Sequence, residues 1–354
     1  MLTAFSIWCT LCVLFTLLPF IPSNHYLVRG WDFPILQLAG LTLLGLIGLV
    51  ISFSNATNWQ WLLLIATLAA FIYHCTIIFP YTFLATAQVK KTVKFDQGRS
   101  LKLLSSNVLM DNRETDKLKQ QISKENPDVV LILEPDSWWQ EQFRYLEKDY
   151  PYGLQIPLDN FYGMMLYSRF PLENTQAHYL IEDDIPSIFT DVVLPSGERV
   201  KLYCVHPKPP SPTENEESTE RDAELLLVAK IAKEETQPSI AMGDLNDVAW
   251  SQTTRLFQKI SGMLDPRIGR RPYATFHAGY PIFRWPLDHF FHSQDFQLVT
   301  IKRLPNIESD HFPIFIHLAL TKMAEPLHDP PQATAKEEKE ATEKIIEGME
   351  KAEQ

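Results

Sequence analysis

Residues 239–246 read Ser-Ile-Ala-Met-Gly-Asp-Leu-Asn, and residues 309–313 read Ser-Asp-His-Phe-Pro. The apolar run Ser239–Met242 reads as a buried strand that stops abruptly in polar residues. Asp-x-Asn alone is ordinary turn chemistry, because both side chains bond their own backbone. The second stretch runs the other way, from polar residues into an apolar strand at Pro313–Leu318. Working outward, four more apolar runs border polar residues in the same manner: Ser105-Ser106-Asn107, Leu133-Glu134-Pro135, Val205-His206-Pro207 and Leu287-Asp288-His289. A glutamate or histidine at one strand end is commonplace. Six such endings in one domain gather carboxylates, amides and imidazoles at loop ends of a rigid sheet, where reactive groups usually sit. That set is what metal-assisted attack of water on phosphorus requires.

The remaining chain supports a sheet-based domain. Leu101–Ser106, Val129–Leu133, Gly163–Tyr167, Phe189–Leu194, Val200–Val205 and Asp288–Phe291 also read as strands. Asp116–Glu125 and Thr219–Glu234 read as helices, the second with Leu225, Leu226, Val228, Ala229 and Ala232 on one face. Strands and helices mixed over residues 95–322 imply packed sheets flanked by helices. Period-2 alternation places Asp288 and His289 on opposite faces, so His289 is left out of the candidate site.

Charge is distributed very unevenly. Of 75 charged side chains, residues 1–89 hold two, Arg29 and Asp32. Apolar runs at about 2–21, 35–53 and 59–79 are each long enough to cross a hydrocarbon core of about 30 Å. Residues 1–89 are therefore expected to form a multi-pass anchor of three transmembrane helices, with a tight turn at Ser54–Asn58. The first run lacks the basic start and small-residue cleavage site of a signal peptide. Arg29, Lys90, Lys91, Lys94 and Arg99 fall on one side of such an anchor, which by the positive-inside rule favours a cytoplasmic domain over one on the far side of the membrane. Residues 325–354 hold nine acids, four lysines and few apolar groups, and are expected to be a disordered acidic tail. Residues 90–324 have 33 acids and 27 bases, which argues against a broad basic face for nucleic acid. Only Cys204 lies outside the apolar segments, so the soluble part cannot form an internal disulfide.

The order Asn107, Glu134, His206, Gly-Asp244-Leu-Asn246, Asp288 and Ser-Asp310-His311, with Tyr167-Ser-Arg-Phe-Pro171, resembles the endonuclease/exonuclease/phosphatase superfamily over residues 99–320. The three-helix anchor is similar to that of a bacterial membrane-anchored branch. The resemblance implies an α/β fold, a four-layer αββα sandwich of two packed sheets with helices outside. It implies Mg²⁺, with Mn²⁺ as the alternative ion, held by Glu134, Asn107 and Asp310. It makes His311 the base or electrostatic partner of the attacking water and Asp288 the carboxylate that orients it. Asp244 and Asn246 would orient water and phosphate, and His206 would donate to phosphate or the leaving oxygen. Arg169 is a candidate phosphate contact, and Tyr162 a candidate substrate contact.

The expected function is a membrane-anchored, divalent-metal-dependent phosphodiesterase or phosphatase. Its partners are the lipid bilayer and a phosphoester: a lipid headgroup, a nucleic acid or a small phosphate ester. No protein partner is evident. A membrane-tethered nuclease and a non-catalytic membrane protein retaining the fold are the alternatives. A serine esterase and a P-loop enzyme are not supported, since neither G-x-S-x-G nor a Walker sequence is present.

Overall fold

The computed structural model describes residues 1–52, 57–321, 324 and 327–353. The chain opens with helices α1 (Leu2–Leu17), α2 (Tyr26–Arg29), α3 (Ile35–Ile51) and α4 (Asn58–Ile78). Leu11, Leu14, Leu44, Ile47, Leu62 and Ile65 are exposed on them, as suits helices that satisfy their backbone internally and face an apolar medium. Leu2–Phe20 and Asn58–Tyr81 are long and apolar enough to cross a membrane. Helix α3 has only 17 residues and reaches that length only when joined to Tyr26–Asp32, from which it is bent by 74°. Among the described residues, the three expected spans are thus reduced to two helices of sufficient length, or three if the bent pair counts as one. Pro34, which lacks a backbone donor, sits at the bend. Most of the turn expected at Ser54–Asn58 lies outside the described residues, and Asn58 already begins α4.

The second part of the chain runs β1 (Ser100–Asn107), α5 (Asp116–Glu125), β2 (Val129–Leu133), α6 (Ser137–Phe143), β3 (Tyr152–Ile156), β4 (Met164–Ser168), β5 (Leu172–His178), β6 (Ser187–Val193), β7 (Arg199–Cys204), α7 (Thr219–Glu234), β8 (Ser239–Asp244), α8 (Gln252–Ser261), β9 (Asp288–His292), β10 (Phe296–Arg303), β11 (Ile314–Leu320) and α9 (Ala335–Ala352). Two mixed sheets form, ordered β10-β11-β1-β2-β4-β3 and β5-β6-β7-β8-β9. Leu103, Leu131, Leu166 and Ile316 from the first sheet meet Leu202, Ile240, Met242 and Phe290 from the second in one buried core. Trp139, Phe143 and Ile122 cover the outer face of the first sheet, and Leu225, Leu226, Phe257 and Ile260 that of the second. The resulting layers are helix, sheet, sheet, helix. Strands β3, β5 and β10, three of the four at sheet edges, escape the sequence reading, whereas the fourth, β9, is buried throughout and is read. An edge strand need not carry a continuous apolar run, and no residue of β5 is buried.

The C-terminal stretch differs from the expected disorder. Helix α9 starts with a capping box between Thr334 and Glu337 and lies along α7 and α8. Ala341 and Ile345 are buried there, and a Cβ on Gly348 would stand 2.2 Å from the Cβ of Ala223. Lys344 Nζ reaches the buried Asp222 at 2.9 Å, and Lys351 pairs with Glu217 and Glu220. Few apolar residues suffice because α7 supplies the opposing surface and carboxylates. Deleting residues 335–354 should therefore lower the melting temperature by about 5 °C or more, since each kcal/mol lost shifts a domain of this size by about 2–4 °C and the loss of α9 costs a few kcal/mol. An unchanged melting curve would show that α9 adds no stability.

Candidate active site

Strand pairing brings the six polar endings to one end of the sandwich. Parallel β1 and β2 set Asn107 opposite Leu133, beside Glu134. Parallel β7 and β8 run toward the same end, carrying His206 and Asp244. Antiparallel β8 and β9 put Asp288, the first residue of its strand, opposite Asp244, the last of its own. Antiparallel β1 and β11, with Ser105 opposite Ile314, return His311 to that end. The sheets are joined there by Asn107, whose Nδ2 donates to Glu134 Oε1 at 2.6 Å and to Asp244 Oδ2 at 3.1 Å.

The local backbone explains the residue types. Gly243 has φ +141°, and a Cβ there would stand 2.0 Å from the Val205 carbonyl oxygen, so only glycine lets β8 approach the end of β7 this closely. Asn246 adopts a left-handed φ of 51°, donates its N–H to Asp244 Oδ1 at 3.0 Å and its amide to the Pro207 carbonyl at 2.9 Å. Ser309 Oγ donates to the Asn107 carbonyl at 2.9 Å and accepts the His311 N–H at 3.0 Å, tying the His311 loop to β1.

His311 lies between two carboxylates: Nδ1 is 2.8 Å from Asp288 Oδ2, and Nε2 is 3.4 Å from Asp244 Oδ2. Burial alone would lower its pKa, but Asp244 and Asp288 outweigh burial and push it up to about 10. Burial pushes Glu134 up to about 8, against the Asn107 hydrogen bond and with Asp310 and Asp244 adding to the rise. Asp244 is likewise raised by burial and opposed by His311. His206 is brought down to about 4, mainly by burial, and stays neutral near pH 7. Its Nε2 is 3.9 Å from both Glu134 Oε1 and Asp244 Oδ2, beyond hydrogen-bond reach. Its Nδ1 is buried with no hydrogen-bond partner among the described residues.

These groups open into a cavity of about 410 Å³. Tyr162, Ser211 and Glu214 add polar groups to it, and Glu134, His206, Asp244, Asn246, Asp310 and His311 line one part of it. Asn107 stands behind them as the amide link, and Asp288 behind His311. Arg169 is not there. Antiparallel β2 and β4 pair Leu133 with Met164 and Val129 with Ser168, so Arg169 emerges at the opposite end of the sheet, over the ring of Tyr150. His289 faces away from the cavity, between Arg267 and the Asp247 carbonyl. Tyr162 does line the cavity, its hydroxyl on Glu214 and its ring 5.4 Å from that of His206. Sequence reasoning missed Phe33, Phe161, Phe276 and Leu287 in the walls. An isolated apolar residue in a loop carries no periodic signal, and Phe33 lies far from the other lining residues in sequence, within the apolar residues 1–89.

The donor set suits a hard divalent cation. Carboxylates of Glu134, Glu214, Asp244 and Asp310 line the cavity with one imidazolium, which Asp288 holds from behind, and no lysine or arginine is among the lining residues. Buried negative charge of this kind calls for a counter-cation. Asp244, Asp288 and His311 form, among the described residues, a group with ligand atoms within 4.8 Å of one another. Those three are already linked through the imidazole, whereas Glu134 has, among the described residues, no cationic side chain in hydrogen-bond reach. The Glu134 side is therefore the better place for a metal.

A helix-flanked double sheet with acid, amide and imidazole groups at one end defines a class of phosphoester-hydrolase folds. The Endonuclease/Exonuclease/phosphatase family matches residues 104–311, and the chain belongs to it. No curated protein matches the chain in sequence. Among solved structures, D. rerio TDP2 complexed with single-strand DNA product superposes with a TM-score of 0.53 at 17% identity, over 63% of this chain and 99% of that one. The human Nocturnin catalytic domain with bound sulfate gives 0.52 at 16% identity, over 68% and 99%. A Bacteroides thetaiotaomicron protein of the same family gives 0.50 at 16% identity, over 62% and 98%. At such identities these likenesses establish the fold.

Proposed function

We propose that the protein is a membrane-anchored, divalent-metal-dependent phosphoester hydrolase, a phosphodiesterase or phosphatase. The observation that carries this reading is the convergence of Glu134, Asn107, Asp244 and the His311–Asp288 pair on one cavity. Glu134, Asn107 and Asp310 would hold Mg²⁺ or Mn²⁺, which supplies charge neutralisation for phosphoryl oxygens. His311, held by Asp288 through Nδ1, presents Nε2 toward Asp244 and the attacking water. Its raised pKa reflects uncompensated carboxylates, and their neutralisation brings it toward the range in which it accepts a proton. Asp244 and Asn246 orient the water and a phosphate oxygen. His206, neutral and unpartnered at Nδ1, is available to phosphate or the leaving oxygen. The absence of lysine and arginine from the lining favours a small or lipid phosphoester over a polyanionic nucleic acid.

The test uses the full chain in detergent micelles with Mg²⁺ or Mn²⁺. Its substrates are bis-p-nitrophenyl phosphate, p-nitrophenyl phosphate, plasmid DNA, RNA and phospholipids. Hydrolysis of at least one ester, abolished by EDTA, is expected. No turnover of any would favour a non-catalytic role, and preferential DNA or RNA cleavage a tethered nuclease.

Metal binding should also depend on pH. Glu134, at about 8, is protonated below that pH and must lose its proton to act as a ligand. Mn²⁺ affinity measured by calorimetry should therefore rise between pH 6 and 8, by up to about tenfold per unit for one proton released. The gain should level off above pH 8 and vanish in Glu134→Gln. A pH-independent affinity in the wild type would remove Glu134 from the ligand set.

A further inference from the structure

The segment that precedes α3 is built into the active-site cavity. Phe33 lines the same cavity as Glu134, His206, Asp244 and His311, and it lies two residues before the first residue of α3. Its ring meets Trp285 edge-on at 5.7 Å. The neighbouring anchor residues are fastened to the loops beside the site. Trp250 Nε1 donates to the Asp32 carbonyl at 2.7 Å, and Tyr81 donates to the Ala249 carbonyl at 2.7 Å. Ile35 and Tyr81 share a buried cluster with Val248, Trp250 and the cavity residue Leu287.

A second observation lies at the rim. Gln37, in the first turn of α3, donates from Nε2 to the Ile282 carbonyl at 2.6 Å, which sets the 278–285 loop against the start of that helix. This loop turns Tyr280, Ile282 and Phe283 to the outside, 59%, 73% and 53% exposed. Leu36, beside Gln37 on α3, is exposed as well. Aromatic and aliphatic side chains placed at the end of an apolar helix belong at the boundary between water and hydrocarbon. The cavity then opens beside that boundary, with acids at its floor and Phe33, Phe161, Phe276 and Leu287 in its walls.

We infer that the site takes its substrate from the bilayer: a phosphoester whose alcohol carries hydrocarbon chains, admitted past Phe33, with the 278–285 loop seated in the lipid surface. This rests on the hydrolase reading above and adds the substrate class to it. Phe33 contacts the apolar part of the substrate, and Ile282 and Phe283 contact surrounding lipid.

The experiment compares the full chain in lipid nanodiscs on two substrates. One is a panel of bilayer-resident esters, namely phosphatidylcholine, sphingomyelin and phosphatidic acid. The other is water-soluble bis-p-nitrophenyl phosphate. Wild type should hydrolyse a bilayer ester with the higher kcat/KM. Ile282→Ser combined with Phe283→Ser should lower that value at least tenfold and leave the soluble ester within twofold, with an unchanged melting temperature. Phe33→Ala should raise KM for the bilayer ester more than it lowers kcat, and Phe33→Leu should restore most of the loss. Turnover of the soluble ester with none of the bilayer esters, or equal loss on both in the loop variant, would overturn the inference and leave the hydrolase reading standing. No turnover of either substrate by wild type would overturn both.

Discussion

Replacing His311 with alanine should lower kcat/KM by about 10²–10⁴-fold, the usual contribution of a positioned acid–base group. The geometry supports so large a loss. The imidazole is buried, its Nδ1 is held by Asp288 at 2.8 Å, and its Nε2 points to Asp244 at 3.4 Å. Water could enter the vacated space but could not reproduce a charge balanced between two carboxylates. Excess Mg²⁺ or Mn²⁺ should not rescue this variant, whereas it should partly rescue Glu134→Ala, whose defect is metal affinity. Asp288→Asn should cost less than His311→Ala, because an amide can still hold the ring. The competing view is that His311 merely ties strand ends together. It expects a lower melting temperature with the rate per folded molecule unchanged. Measuring both quantities on His311→Ala and His311→Gln separates the two, and full activity in either would remove His311 from the chemistry.

Arg221→Met should destabilise the fold by about 3–5 kcal/mol, the usual result of removing one member of a buried ion pair. Arg221 and Asp222 are both buried, and Arg221 Nη2 is 2.7 Å from Asp222 Oδ1. Burial alone would raise Asp222, but Lys344 and Arg221 hold its carboxyl well below the usual carboxylate range. Arg221 Nη1 also lies 3.5 Å from Asp247 and donates to the Asn246 carbonyl at 2.8 Å. The same side chain therefore joins α9, through Asp222 and Lys344, to the loop that carries Asn246. Chemical denaturation should show the loss, and activity at saturating denaturant-free conditions should fall as well, because Asn246 loses its backbone support. A stability change below about 1 kcal/mol, the range of an exposed pair, would mean that the pair is solvated in the molecule.

The residues gathered at the site were legible in the sequence because polar groups at strand ends leave a local mark. A run of β-branched and apolar residues ending in Asp, Asn, Glu or His can be read without knowing what it pairs with. The central strands and the polar cluster at their ends were therefore accessible. Strands β3, β5 and β10 were not, since they lie at sheet edges and are only partly buried, unlike the edge strand β9, which is buried throughout. Arg169 shows the limit of motif reading. It follows a strand of the right sheet, but antiparallel pairing of β2 and β4 carries it to the far end.

By itself the sequence determined the apolar character of residues 1–89, the two-sheet class and the residue types of the site, because hydrophobic runs and turn chemistry act over a few residues. Tertiary structure alone decided where Arg169 points, that α9 docks on α7, and that Phe33 belongs to the cavity wall. Each of these depends on surfaces distant in the chain. Lys344 finds Asp222 across 122 positions, and Gln37 finds Ile282 across 245. Local propensity carries no information about such meetings, since their free energy exists only once both surfaces have been built.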